Sequence, residues 1–173
     1  DPRDICISWA NHNGQTYDES IDFMINESQT IQWAKGSNNL FYNDNMPNLL
    51  LSSWDKHVTS WTSSNWKFPF LIINFEDMVY KKEETIRIIA NFFTKKYGFK
   101  FNNLDEKIKN IIITTSFNNL KKEELKDGFA EAPKNKKFFK NGTKKQWLKN
   151  LNNNQILKIE EKFKKVMNNF GYN

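Results

Sequence analysis

The stretch DPRDICISW, residues 1–9, decides how the rest of the chain is read. Asp1 offers a side-chain oxygen to the first free amides of a helix, and Pro2 has the fixed φ that suits the first helical position. Asp4 stands where the acidic half of a capping box stands, so a helix is expected to start here. In α/β proteins such a helix commonly follows a buried strand, and the pattern predicts a hydrophobic strand just ahead of it. The sequence opens at the turn itself.

Composition sets the bounds. The chain has 173 residues with 15 Phe and 6 Trp, enough apolar mass for one folded body with a core. No apolar run has the length of a membrane span, and no membrane partner is expected. The single cysteine, Cys6, lies between apolar neighbours and reads as a small buried hydrophobe in a reducing, cytoplasmic setting. One Cys and two separated His make no metal site. The net charge of +6 and pI near 9.2 favour anionic partners, although most of the Lys residues read as solvated surface. The densest basic block, residues 134–145, interleaves Lys with Phe138 and Phe139 and runs on to Trp147. That composition suits a nucleotide and a nucleic acid alike.

Helical patterns dominate the chain beyond the opening turn. Ile21, Met24 and Ile25 share a face behind a possible Asp18 cap, and Trp54, Val58 and Trp61 form a core stripe behind Ser53. Ile86, Ile89, Ala90 and Phe93 line an amphipathic helix that Gly98 stops, and residues 104–113 form another. The last helix carries Ile156, Ile159, Phe163, Val166, Met167 and Phe170 on one side, with Gly171 as its stop. KFPFLIINF, residues 67–75, is the one convincing strand, a nearly unbroken apolar run ended by Glu76 and Asp77. Such a strand is expected to be buried in a parallel sheet, yet the sequence holds no second strand of comparable quality to pair with its edges. Either another chain supplies the partners or the sequence is the C-terminal part of a larger α/β domain. There is no internal repeat and no visible domain boundary.

Taken in order, DPRDICISW, SSWDKHVTSW, FLIINFEDM, TTSFNNLKKEE, FFKNGTKKQW and LNNNQILKIEEKFKKVMNNFGY resemble the C-terminal half of the cytosolic-type sulfotransferases, particularly bacterial members. The resemblance spans essentially residues 1–173 and treats them as the C-terminal part of a single sulfotransferase domain whose phosphosulfate-loop part lies upstream. It implies a P-loop-NTPase-like α/β fold, here a helix-rich portion with few strands. The implied activity is transfer of a sulfuryl group from 3'-phosphoadenosine 5'-phosphosulfate (PAPS) to a hydroxyl or amine of a small-molecule acceptor, with no metal and no nucleic acid as partner.

The resemblance also implies where the cofactor lies. The family holds the 3'-phosphate with an arginine just before the opening turn and a serine on the helix after it; Ser8 takes the serine position, and the arginine would precede Asp1. Arg3 is not its equivalent and reads as an exposed helix arginine. The family's tyrosine beside the adenine is Phe75, which keeps a ring for the purine and loses the hydroxyl. The Thr-Ser-Phe block becomes Thr115, Ser116 and Phe117, with Thr115 and Phe117 near the adenine. The family's Arg-Lys-Gly loop around the 3'-phosphate becomes Lys140, Asn141 and Gly142, preceded by Phe138 and Phe139. Gly142 lets backbone approach an anion, and Lys140 keeps the charge without arginine's fork. The later Gly-Asp of the family reads Lys145 and Gln146, a departure in the same loop. Asn141, Gly142 and Thr143 also spell a glycosylation acceptor, which an Asn-rich cytosolic chain produces by coincidence.

No catalytic residue is assigned. The family's phosphate-loop lysine and histidine base have no counterpart here; His57 reads as structural between two tryptophans, and His12 as at most a lining of the acceptor pocket. Acceptor contacts are expected in the polar, irregular residues 29–48. The family's dimer motif is not reproduced over residues 151–161, which leaves the oligomeric state open. Two further readings remain: a noncatalytic nucleotide-binding remnant, and a basic nucleic-acid-binding module built on residues 134–145.

Overall fold

Asp1 does what the opening turn requires: its Oδ1 accepts from the Arg3 amide at 3.0 Å. Helix α1 (Pro2–Asn13) then runs to Gly14, whose left-handed φ of 72° closes it. The structure, a computed structural model, describes residues 1–31, 49–63, 66–129, 132, 137–140 and 142–172. After α1 come α2 (Tyr17–Ile25), β1 (Thr30–Ile31), β2 (Leu49–Leu50), α3 (Trp54–Thr62), α4 (Phe75–Tyr80) and α5 (Lys82–Tyr97). The chain ends with α6 (Leu104–Thr114), α7 (Phe117–Asp127), the single turn α8 (Trp147–Asn150) and α9 (Asn153–Asn169). Among the described residues the fold is thus helix-rich with one small antiparallel sheet, in which Thr30 pairs with Leu50 and Ile31 with Leu49.

Two compact units divide the chain, Asp1–Ser63 with Lys145–Asn173, and Ser64–Lys144. The first is discontinuous in sequence, so no linker composition marks it. Its core joins Cys6 and Ile7 of α1, Ile21 and Met24 of α2, Leu151, and Ile159, Phe163 and Met167 of α9. The apolar stripe expected on the last helix is the wall of that core, with Ile159 and Phe163 fully buried and each contributing about 1.5–3 kcal/mol. Trp54 packs its ring 5.1 Å from Phe163, whereas Trp61, expected in the same stripe, is 61% exposed. Asn152 and Gln155 form a capping box on α9.

Three readings of local sequence are corrected in this unit. The cap of α2 is Thr16, which forms a capping box with Glu19, while Asp18 lies inside the helix and accepts from Gln155 Nε2 at 3.0 Å. Asp4 belongs to no capping box; it accepts from the amides of Lys145 at 2.6 Å and Trp147 at 3.0 Å and so fixes the start of α8. Arg3, read as exposed, is buried. Its guanidinium grips both Asp1 oxygens at 2.9 and 2.8 Å, pairs with Glu160 of α9 at 2.5 Å, and lies 4.0 Å over the Trp147 ring. The residues that bury it come from the far end of the chain.

In the second unit, α5 is stopped as expected by Gly98 at φ 71° and buries Thr85 and Ala90, and α6 buries Ile108. The strand expected at residues 67–75 is not formed. Residues 67–74 carry no ladder, Phe75 starts α4, and Phe68 and Ile72 stay 53% and 46% exposed. A strand exists only through its partner, and the unit has none among the described residues.

Candidate functional site

Helices α6 and α7 meet at a sharp turn that carries two of the expected residues. Thr115 closes α6 with its hydroxyl donating to the Ile111 carbonyl at 2.7 Å, and Ser116 caps α7 by accepting from the Asn119 amide. The Lys82 ammonium donates to the Thr115 carbonyl at 2.7 Å and lies 3.4 Å from its hydroxyl oxygen. This satisfies a helix-end carbonyl with a cation, the favourable sign at a C-terminus. Phe117 then opens α7, with the Lys121 ammonium 4.8 Å over its ring.

The loop after residue 137 folds against the same helix. The Glu124 carboxylate accepts from two successive amides, those of Phe138 and Phe139. The Lys140 amide donates to the Phe138 carbonyl at 3.0 Å, a tight turn that leaves the Lys140 side chain exposed. Gly142 has φ 58°, and a Cβ there would lie 2.6 Å from Cδ2 and Cε2 of Phe117. Beyond it, the Lys144 amide donates to the Tyr80 hydroxyl at 3.2 Å, and the Lys144 ammonium lies 4.4 Å over the Tyr80 ring. Phe129 packs 4.7 Å from Phe138 and 5.1 Å from Phe139, and Phe139 meets Phe117 edge-on at 6.3 Å.

The structure therefore brings together Phe117, Phe138, Lys140 and Gly142, with Thr115 two residues from Phe117. Phe75 opens α4 and is 56% exposed; that helix reaches the loop through Tyr80, at its other end. Ser8 is exposed on α1 in the first unit. Asn141, and residues 32–48 of the expected acceptor region, lie outside the described residues. Glu124, Tyr80, Lys121 and Phe129 were missed by sequence reasoning: nothing in KKEE shows that its second glutamate meets backbone 14 and 15 residues later.

Cys6 and His57 are packed side chains in the first unit. Cys6 is buried, its sulfur 3.6 Å from the Tyr17 carbonyl, and burial pushes its thiol above the ordinary range. His57 meets Trp61 edge-on at 6.4 Å. Among the described residues, no three His, Cys, Asp or Glu side chains group as metal ligands, and no helix is long and apolar enough to cross a membrane. What the loop offers is a set of aromatic rings, the exposed Lys140 side chain and a glycine whose missing side chain makes room for the Phe117 ring, a combination of aromatic and cationic groups that suits a base and a phosphate.

A family model described as a sulfotransferase domain matches residues 1–171. The chain belongs to the sulfotransferase family. It is 24% identical over 181 aligned residues to the luciferin sulfotransferase of Photinus pyralis, covering 99% of this chain and 44% of that protein. It is 30% identical over 101 residues to sulfotransferase 2A6 of Mus musculus, covering 56% of this chain and 30% of that one. This sulfotransferase chain spans less than half the length of either relative. No solved structure matches it significantly.

Proposed function

We propose that the chain carries the 3'-phosphate and adenine side of a PAPS site, in an enzyme that moves a sulfuryl group to a hydroxyl or amine of a small molecule. The observation that carries the reading is the loop that includes residues 138–140 and 142–144, in which Gly142 lies against the ring of Phe117 and the Lys140 side chain is exposed. In this reading Lys140 neutralises the 3'-phosphate beside the Gly142 turn, Phe117 and Phe138 supply apolar faces for the purine and Thr115 a polar edge, while Phe75 joins them on the family resemblance alone. Asn141 and Ser8 enter on the family resemblance alone, Asn141 as a neutral donor and Ser8 as a hydroxyl that can donate to a phosphate oxygen.

The transfer breaks the S–O bond to the nucleotide's 5'-phosphate and forms a bond from sulfur to the acceptor atom, whose proton passes to a base. Negative charge develops on the departing nucleotide, so fixed cations and backbone donors around its phosphates lower the barrier. None of the chain's own residues is assigned as the base. The remainder of the domain, which in this reading precedes Asp1, would pair with residues 67–74 and cover their apolar side chains. Their exposure, and the chain's coverage of 44% of the Photinus relative, support that part of the reading. A cytoplasmic setting accompanies it.

The test is titration calorimetry of 3'-phosphoadenosine 5'-phosphate into the 173-residue chain and its Lys140→Ala and Ser8→Ala variants. Saturable binding weakened by both substitutions is the expected result. No binding by a chain shown to be folded sinks the reading for this chain. Binding without sulfuryl transfer once the rest of the domain is present would favour a noncatalytic nucleotide-binding protein, which the loss of arginine's fork at Lys140 allows.

A further inference from the structure

Helix α7 presents two groups to the loop, the Phe117 ring and the Glu124 carboxylate, seven residues and so about two turns apart on one face. The ring sets how closely residue 142 approaches, and the carboxylate takes the two amide hydrogens of Phe138 and Phe139. Hydrogen bonds to a charged acceptor are about twice as strong as neutral ones, and two from adjacent amides fix both the place and the direction of the backbone. Lys140 is the next residue, and its own amide turns back onto the Phe138 carbonyl.

We propose that Glu124 is the positioning residue of the candidate phosphate loop: it holds the backbone from which Lys140 projects. The inference rests on the nucleotide reading of that loop. Glu124 carries negative charge, so its bare electrostatic effect on an incoming phosphate is repulsive. Its value to the site lies in geometry, and the two roles predict opposite signs for its neutralisation.

That sign is the test. Nucleotide affinity is measured by calorimetry with 3'-phosphoadenosine 5'-phosphate on the 173-residue chain and its Glu124→Gln and Glu124→Ala variants, each checked for folding by circular dichroism. Amide exchange at Phe138 and Phe139 is followed in parallel. Glu124→Gln keeps one acceptor and leaves one amide without a partner, so affinity falls a few-fold and amide protection falls in part. Glu124→Ala frees both amides, and affinity falls about tenfold or more. Affinity that is unchanged or tighter in Glu124→Gln makes Glu124 a mere surface charge and overturns the proposal. If the parent chain binds no nucleotide, the nucleotide reading fails by itself, and the exchange data alone decide whether Glu124 holds the loop: retained protection in Glu124→Ala overturns it.

Discussion

A Cβ on residue 142 would lie 2.6 Å from two ring atoms of Phe117, so the loop and helix α7 touch where only glycine fits. Gly142→Ala therefore has two costs. The left-handed φ of 58° is strained for alanine by about 1–2 kcal/mol, and the methyl group must push the ring or the loop aside. The expected outcome is a modest loss of stability in urea together with at least about a tenfold loss of affinity for 3'-phosphoadenosine 5'-phosphate, since fitted backbone is what the site offers. Unchanged affinity would show that the contact with Phe117 does not shape the site.

Much of the helical framework is legible locally, because caps and stops act within a few residues: Asp1 and Gly98 do what their types imply. The failures are non-local. Arg3 is placed on a helix by its neighbours, but Glu160 and Trp147, which bury it, lie at the other end of the chain. Residues 67–74 have the composition of a strand, and a strand needs a partner that no local pattern supplies. For the candidate site, the family resemblance points to Phe117, Lys140 and Gly142, whereas no spacing rule points to Glu124 or Tyr80. These two act on backbone amides, which carry no sequence signature.

The buried Arg3 fork gives a prediction for stability. Arg3→Ala removes the guanidinium that grips the Asp1 carboxylate, itself 7% exposed, and breaking such a buried pair costs about 3–5 kcal/mol. Arg3→Lys keeps the charge but can neither grip both Asp1 oxygens nor lie flat over Trp147, so it recovers only part of the loss. Urea denaturation of the two variants checks this. Equal stability of Arg3→Lys and the parent would mean that charge alone matters.

Cys6 gives a prediction with pH. Burial, the largest cause, raises its thiol above the ordinary value of 9.0, and the nearby Asp18 charge adds to this against a hydrogen bond with Ser20. The native state thus holds the proton more tightly than the unfolded one. Its share of stability is complete below the unfolded value and is lost as pH rises through the native one. Alkylation of the native chain should stay slow past pH 9, while the urea-unfolded chain reacts readily. Rapid native labelling near neutrality would show that the α1–α2 contact opens.

Lys82 separates positioning from bulk charge. Its ammonium holds the last carbonyl of the α6 end at Thr115, at 2.7 Å, from a half-buried place at the start of α5. An ion-to-carbonyl contact near the surface contributes little to global stability, so Lys82→Ala should change it by about 1 kcal/mol or less. If Thr115 lines the adenine, loosening the turn that carries it should still weaken nucleotide binding several-fold. Lys95→Ala, in the last turn of α5, removes the same charge without touching that turn and serves as the control. A loss of affinity confined to Lys82→Ala places Thr115 in the site. Equal losses in both variants would reduce the contribution of Lys82 to its charge.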